Sequence, residues 1–289
     1  MPEYNFYVLG FFDLMGQSQL LDCLSDQFVL DCLNSGKRAE LIEKVKPTFG
    51  RVKRFRDNIR RIVSQINQEI PLPSELVGKV SEKAWKQLTT AQVNVEFMGD
   101  AALLKVRISS NAEAPLSVVS IKDLMESISM EMLSNLRDGI PVRGAIELGW
   151  GTHIEDHSIY GTMLHRAARL EKEAGHLRIV IGESLISYLS DLAAIPQKGV
   201  AVEEAKIITD QAKTILSLVE KDDDDKWILN YLRKETYSVP ENEAIYKECK
   251  ESAKTFINSE IELRKNSGEE KLLNIYQAVK RFFQKHGAW

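Results

Sequence analysis

The sequence predicts an α+β fold, an antiparallel sheet covered by helices. Three observations predict it. Apolar runs rich in aromatic and β-branched residues recur at 4–12, 93–98, 102–108 and 142–148. Amphipathic stretches with helical spacing separate most of them. Gly99-Asp100 leaves room only for a tight hairpin between the second and third runs.

The elements follow in order. YNFYVLGFF at 4–12 reads as a buried strand. Leu20, Leu21, Leu24, Phe28 and Cys32 then fall at helical spacing, and Ser35-Gly36 closes that helix. Residues 37–90 read as a helical insertion whose apolar stripe is Phe49, Val52, Ile59, Ile62, Val63 and Ile66. Within it, residues 36–61 carry ten Lys/Arg against three Asp/Glu. Such a bias fits a solvated helix face, or a patch facing phosphate or a partner. Pro71 and Pro73 mark the exit.

The hairpin of Val93–Met98 and Ala102–Ile108 comes next. A helix over 116–137 follows, with Ile121, Leu124, Ile128, Met132 and Leu136 as its apolar face. VRGAIEL at 142–148 alternates as a strand; Gly149-Trp150-Gly151 and HIEDHS read as loop. Residues 161–173 return to helix and 178–181 to a short strand. The order strand, helix, strand, strand, helix, strand is the ferredoxin-like pattern. KDDDDK at 221–226 reads as a solvated acidic turn before a strand, WILNYL. Residues 240–289 are helical in character, with Leu272, Ile275, Tyr276, Val279, Phe282 and Phe283 as a packing face. The expected division is 1–236 as a domain with the insertion at about 37–90, then 237–289 as a helical C-terminal extension.

Bulk properties narrow the function. A net charge of −4 argues against a dedicated nucleic-acid binder. No apolar run approaches the ~18 residues of a membrane span, and the N-terminus lacks the basic start of a signal peptide. A cytoplasmic location is expected. Cys23, Cys32 and Cys249 show no metal-ligand spacing and fit free thiols.

Several residues carry the spacing of chemistry. Asp13 ends the first apolar strand in FFDLMG, and Asp100 sits at the hairpin turn in FMGDAAL. Two carboxylates at neighbouring strand ends suit a hard divalent cation, which takes oxygen ligands and shares them with phosphates. Taken alone, Asp100 is an ordinary turn residue. His165 and Arg169 lie four apart on one helix, with small Ala167 and Ala168 before the arginine. An ion pair to Glu173 is the plainer role for Arg169. Arg166 is expected to face solvent. Arg143 opens the VRGAIELG strand. His153, Asp156 and His157 are better read as a surface loop than as a transition-metal site.

FFDLMG, MGDAALL, IPVRGAIELG and YGTMLHRAARLEKEAG resemble, in order, the four signature segments of class III nucleotidyl cyclases. The resemblance implies a class III cyclase catalytic domain and a homodimer with active sites shared between subunits. It implies two divalent cations per site, Mn²⁺ or Mg²⁺, held by Asp13, Asp100 and the carbonyl of Leu14. Arg143 would hold the triphosphate. Arg169, with His165, would act from the partner subunit on the α-phosphate.

The chain departs from the family in three respects. Asp13 and Asp100 stand 87 positions apart because of the insertion. His165 replaces the usual Asn. The base-reading positions hold Glu96 and Ser158 where adenylate cyclases place Lys and Asp. Glu96 could accept guanine N1–H or uracil N3–H. The organisation most resembles the stand-alone pyrimidine cyclases of bacterial antiphage (Pycsar) systems. That implies UTP or CTP as substrate and a role in antiviral defence. A purine cyclase and a silent nucleotide-sensing module are the alternatives.

Overall fold

The computed structural model describes residues 4–17, 21, 24–89, 93–108, 118–153, 159–194, 201–233 and 240–289. β1 (Tyr4–Leu14), β2 (Val93–Met98), β3 (Ala101–Ile108) and β4 (Val142–His153) form the centre of the sheet. Their spatial order is β2-β3-β1-β4, antiparallel throughout. That is the predicted ferredoxin-like arrangement. The sheet then continues beyond the prediction. β6 (Ile179–Ile181) adds parallel to β4, followed by β8 (Trp227–Leu229) and β7 (Val219–Lys221), and β5 (Ile159–Gly161) pairs with the far end of β4. The eight-stranded sheet is therefore mixed.

The helices are α1 (Asp26–Asn34), α2 (Arg38–Ile66), α3 (Glu82–Thr89), α4 (Val118–Arg137), α5 (Thr162–Glu173), α6 (Glu183–Ala194), α7 (Val202–Ser217), α8 (Pro240–Ser267) and α9 (Glu270–Lys285). Side chains alternate across a strand, so each central strand divides its residues between two faces. Val8, Phe12 and Leu14 join Leu104, Val106 and Ile146 in the main core, closed by α4 through Ile121, Leu124 and Ile128. On the opposite face, Tyr7, Leu9 and Leu103 pack against Met163 and Ala167 of α5.

The extension belongs to the same packing. Ala253 and Ile257 of α8 and Val279 and Phe283 of α9 are fully buried in the main core.

Several expectations are corrected. β4 does not stop at Leu148 but runs to His153, through Gly149-Trp150-Gly151. The glycines serve a close approach: a Cβ on Gly149 would stand 2.9 Å from the backbone of Met163 in α5. In α2 the buried stripe is Phe55, Ile59, Ile62 and Ile66, whereas Phe49 is exposed. Thr48, beside Phe49, is buried in its stead.

KDDDDK is not a purely solvated turn. Arg178, buried at the end of β6, donates to Asp222 at 2.5 Å and to Asp224 at 2.7 and 2.9 Å. Cys32 and Cys249 are free and buried; Cys23 lies outside the described residues. Among the described residues, no helix is long and apolar enough to cross a membrane.

Candidate functional site

The antiparallel ladder brings the predicted strand-end residues together. Asp13 stands opposite Ala101 on one side and Arg143 on the other. Asp100 immediately precedes Ala101, in a two-residue turn where Gly99 takes φ 60°. A turn with positive φ at its first central position matches the twist of the flanking strands, and glycine takes it without strain. Two carboxylates 87 positions apart in sequence thus become neighbours at one corner of the sheet.

Their electrostatics record that proximity. Asp13 is pushed up from its ordinary 3.8 to about 6. Burial is the main cause, and the charges of Asp100 and Glu171 add to it. Arg143 works in the other direction, both by charge and by a hydrogen bond. A carboxylate held in that state gains from any cation placed beside it. Asp13 and Arg143 each keep about a quarter of their side-chain surface, enough for a ligand to reach them.

Arg143 is the hub of the cluster. It donates to Asp13 at 3.5 Å and ion-pairs through Nε with Glu171 of α5. Glu171 is almost fully buried. The motif reading missed it, although the sequence held a signal. Met163, Ala167 and Glu171 fall four residues apart on the buried stripe of α5, and a carboxylate on such a stripe needs a partner.

The α5 residues of the prediction are not brought to the carboxylates within one chain. Arg169 is exposed and pairs with Glu173 at 3.7 Å, the plainer role foreseen for it. It stands about 200° round the helix from Glu171, at ~100° per residue. His165 is exposed as well. Arg166 is corrected: it is half-buried and donates to Ser184 Oγ at 3.2 Å. Leu14 is the last residue of β1, its side chain in the core.

Glu96 lies on β2, opposite Leu103, and so on the same face as Asp13. Lys105 of β3 donates to it. Lys105 is only 4% exposed, so the ammonium is buried and needs this carboxylate. A lysine inside the apolar run AALLKVRI was a legible signal that the motif reading passed over. Ser158, Asp156 and His157 lie outside the described residues.

Nearby, Glu147 has a structural task. Its carboxyl accepts the backbone N–H of Leu148 at 2.7 Å and that of Leu185 in the first turn of α6. Gly182 packs directly against it. Burial pushes its pKa up, opposed by these N–H donors and by Arg166.

Could this corner hold metal ions? Among the described residues, no group of three or more His, Cys, Asp or Glu is arranged to bind one with protein ligands alone. Two carboxylates on adjacent strand ends instead suit Mg²⁺ or Mn²⁺, which complete their shells with water and substrate phosphates. The raised Asp13 fits that donor set. A cavity of about 390 Å³ beside His176, Arg178 and Asp222 is a weaker candidate, because its charges already satisfy one another.

No family model matches the sequence, and comparison with curated proteins gives no match. Some solved structures are similar. The adenylyl cyclase CyaB from P. aeruginosa matches over 70% of this chain and 91% of its own, at 16% identity and a TM-score of 0.36. The monomeric guanylyl cyclase domain of the RhoGC fusion protein from the aquatic fungus Blastocladiella emersonii matches over 79% and 96%, at 12% identity and 0.42. The catalytic core of a rhodopsin-guanylyl cyclase with converted specificity, in complex with ATPalphaS, matches over 70% and 94%, at 14% and 0.38. Likenesses of this size do not carry function across.

Proposed function

We propose that the chain is a nucleotidyl cyclase acting in antiviral defence. It closes a ribonucleoside triphosphate, UTP or CTP by preference, into a 3′,5′-cyclic monophosphate and releases pyrophosphate. The observation that carries this reading is the corner itself: Asp13 and Asp100 on adjacent strand ends, with Arg143 opposite Asp13 on the same face.

Asp13 and Asp100, with the Leu14 carbonyl, would hold two Mg²⁺ or Mn²⁺. The cations would activate the ribose 3′-hydroxyl and neutralise the triphosphate. With Asp13 so engaged, Arg143 exchanges that partner for the triphosphate, while Glu171 keeps its guanidinium in place. The 3′-oxygen bonds to the α-phosphorus as the bond to the β-phosphate bridge breaks, and the hydroxyl proton leaves to water.

Arg169 and His165 are exposed on α5, and in this reading they would serve the site of a second subunit, as a composite homodimer requires. There the planar fork of Arg169 meets charge developing on the α-phosphate. Glu96 and Ser158 are the base-facing residues of this reading. Glu96, paired with Lys105, accepts a ring N–H such as uracil N3–H. Guanine could also satisfy it, which keeps a purine cyclase as the second reading.

The test is a product assay. The protein is incubated with ATP, GTP, CTP and UTP in Mn²⁺, products are identified by mass spectrometry, and Asp100→Ala is the control. A cyclic pyrimidine nucleotide absent in the control is the expected result. Cyclic GMP or cyclic AMP would move the assignment to a purine cyclase. No product from any triphosphate would favour a silent nucleotide-binding module.

A further inference from the structure

The insertion separating Asp13 from Asp100 does more than lengthen the chain. Its long helix α2 lies along β2, the edge strand of the sheet, and grips it at both ends. At the C-terminal end, Asn67 makes a two-way clasp with the backbone of Val93. Its Nδ2 donates to the Val93 carbonyl at 2.9 Å, and its Oδ1 accepts the Val93 N–H at 2.8 Å. At the other end, Arg56 donates through Nη2 to the carbonyl of Gly99, beside Asp100. The ring of Phe97 lies against two guanidinium groups, Arg56 at 5.2 Å and Arg60 at 4.9 Å.

The lengths agree. The eleven steps from Arg56 to Asn67 span about 16 Å at the helical rise, and the six steps from Val93 to Gly99 span about 20 Å at the strand rise. The helix itself is anchored elsewhere. Phe55, Ile59, Ile62 and Ile66 are buried. Asn58 donates to Asn135 of α4 at 3.0 Å, and Arg61 meets Glu131 of α4 at 2.9 Å. An edge strand alone is held on one side only. Here a splint fixed to the core holds the other.

We infer that Arg56 is a positioning residue: from α2 it holds the Gly99-Asp100 turn, so that the insertion sets how well the Asp13–Asp100 pair binds a divalent cation. The basic face of α2 is thereby divided by task. Arg56 and Arg60 work on the turn and its neighbouring ring, while Arg54 is exposed. This rests on the cation-binding reading of Asp13 and Asp100, and the test separates the two.

Mn²⁺ binding to the full chain is measured by electron paramagnetic resonance of the free ion, with thermal melts to show that each variant is folded. Arg56→Met keeps the apolar stem over Phe97 and removes the donors. It should weaken Mn²⁺ binding about tenfold, the effect of losing one charge-assisted hydrogen bond. Arg56→Lys should recover part of that loss, and Arg54→Met should bind as the wild type does. Phe97→Leu, which removes the ring but leaves the donor, should weaken binding by a smaller factor. Wild-type affinity in Arg56→Met, with Asp100→Asn clearly impaired, overturns the inference and leaves the cation site standing. Wild-type affinity in Asp100→Asn removes the cation site and the inference with it.

Discussion

Asp13 should cost the cation-free protein stability at neutral pH, and Asp13→Asn should therefore stabilise it. The carboxyl is raised from 3.8 to about 6. A group raised on folding contributes most when protonated. Its contribution is complete below pH 3.8 and is lost as pH rises to about 6. Above that window the shift of roughly two units corresponds to about 3 kcal/mol, at about 1.4 kcal/mol per unit. Asn imitates the protonated carboxyl in shape and cannot ionise.

Denaturant unfolding in chelator at pH 7.5 should show Asp13→Asn more stable by about 2–3 kcal/mol. At pH 4 the gain should shrink to a fraction of that. Mn²⁺ at pH 7.5 should reverse the order, since only the wild type gains by binding it. A gain of equal size at both pH values, or no gain at pH 7.5, would refute the reasoning: Asp13 would then not be an anion held in place against desolvation.

Three further outcomes follow from the geometry. Asp222→Ala leaves buried Arg178 with Asp224 as its one carboxylate partner, beside the Ala174 carbonyl, and should destabilise the fold by about 3 kcal/mol, whereas exposed Asp223→Ala should stay within ~0.5 kcal/mol; a melt on each decides. Asp222 is held well below the usual carboxylate range by hydrogen bonds from His176, the backbone of Asp223 and Arg178, against the effect of burial. Its share of stability is therefore present at neutral pH and lost on strong acidification. Lys105→Met strands the carboxylate of Glu96 and should cost about 2–3 kcal/mol, with the double variant Lys105→Met/Glu96→Gln recovering most of it; additive losses in the cycle would mean that the pair is not coupled. Finally, Asp100→Ala and Arg169→Ala subunits, each inactive alone, should regain cyclase activity when mixed, through one intact composite site. Folded mixed dimers without activity would argue against sites shared between chains.

The legibility of the site divided along physical lines. Asp13 and Arg143 stood out as charges at the ends of apolar strands, whereas Asp100, an ordinary turn residue alone, stood out only through its pairing with Asp13. Glu171 and Lys105 broke patterns too, a carboxylate on a buried helical stripe and an ammonium inside an apolar strand. They were passed over because their meaning depends on a partner more than ten residues away or on another element.

The sequence by itself determined the central element order, the hairpin at Gly99-Asp100 and the choice of candidate side chains, because strand alternation, helical spacing and turn chemistry are properties of short windows. Tertiary structure decided the rest. Close helix packing, not local propensity, kept β4 extended through Gly149 and Gly151. Desolvation of Arg178 made a clamp of KDDDDK. Arg56 and Asn67 made a splint of the basic insertion. Each of these depends on which surfaces meet once the chain is closed, and no window of sequence contains both partners.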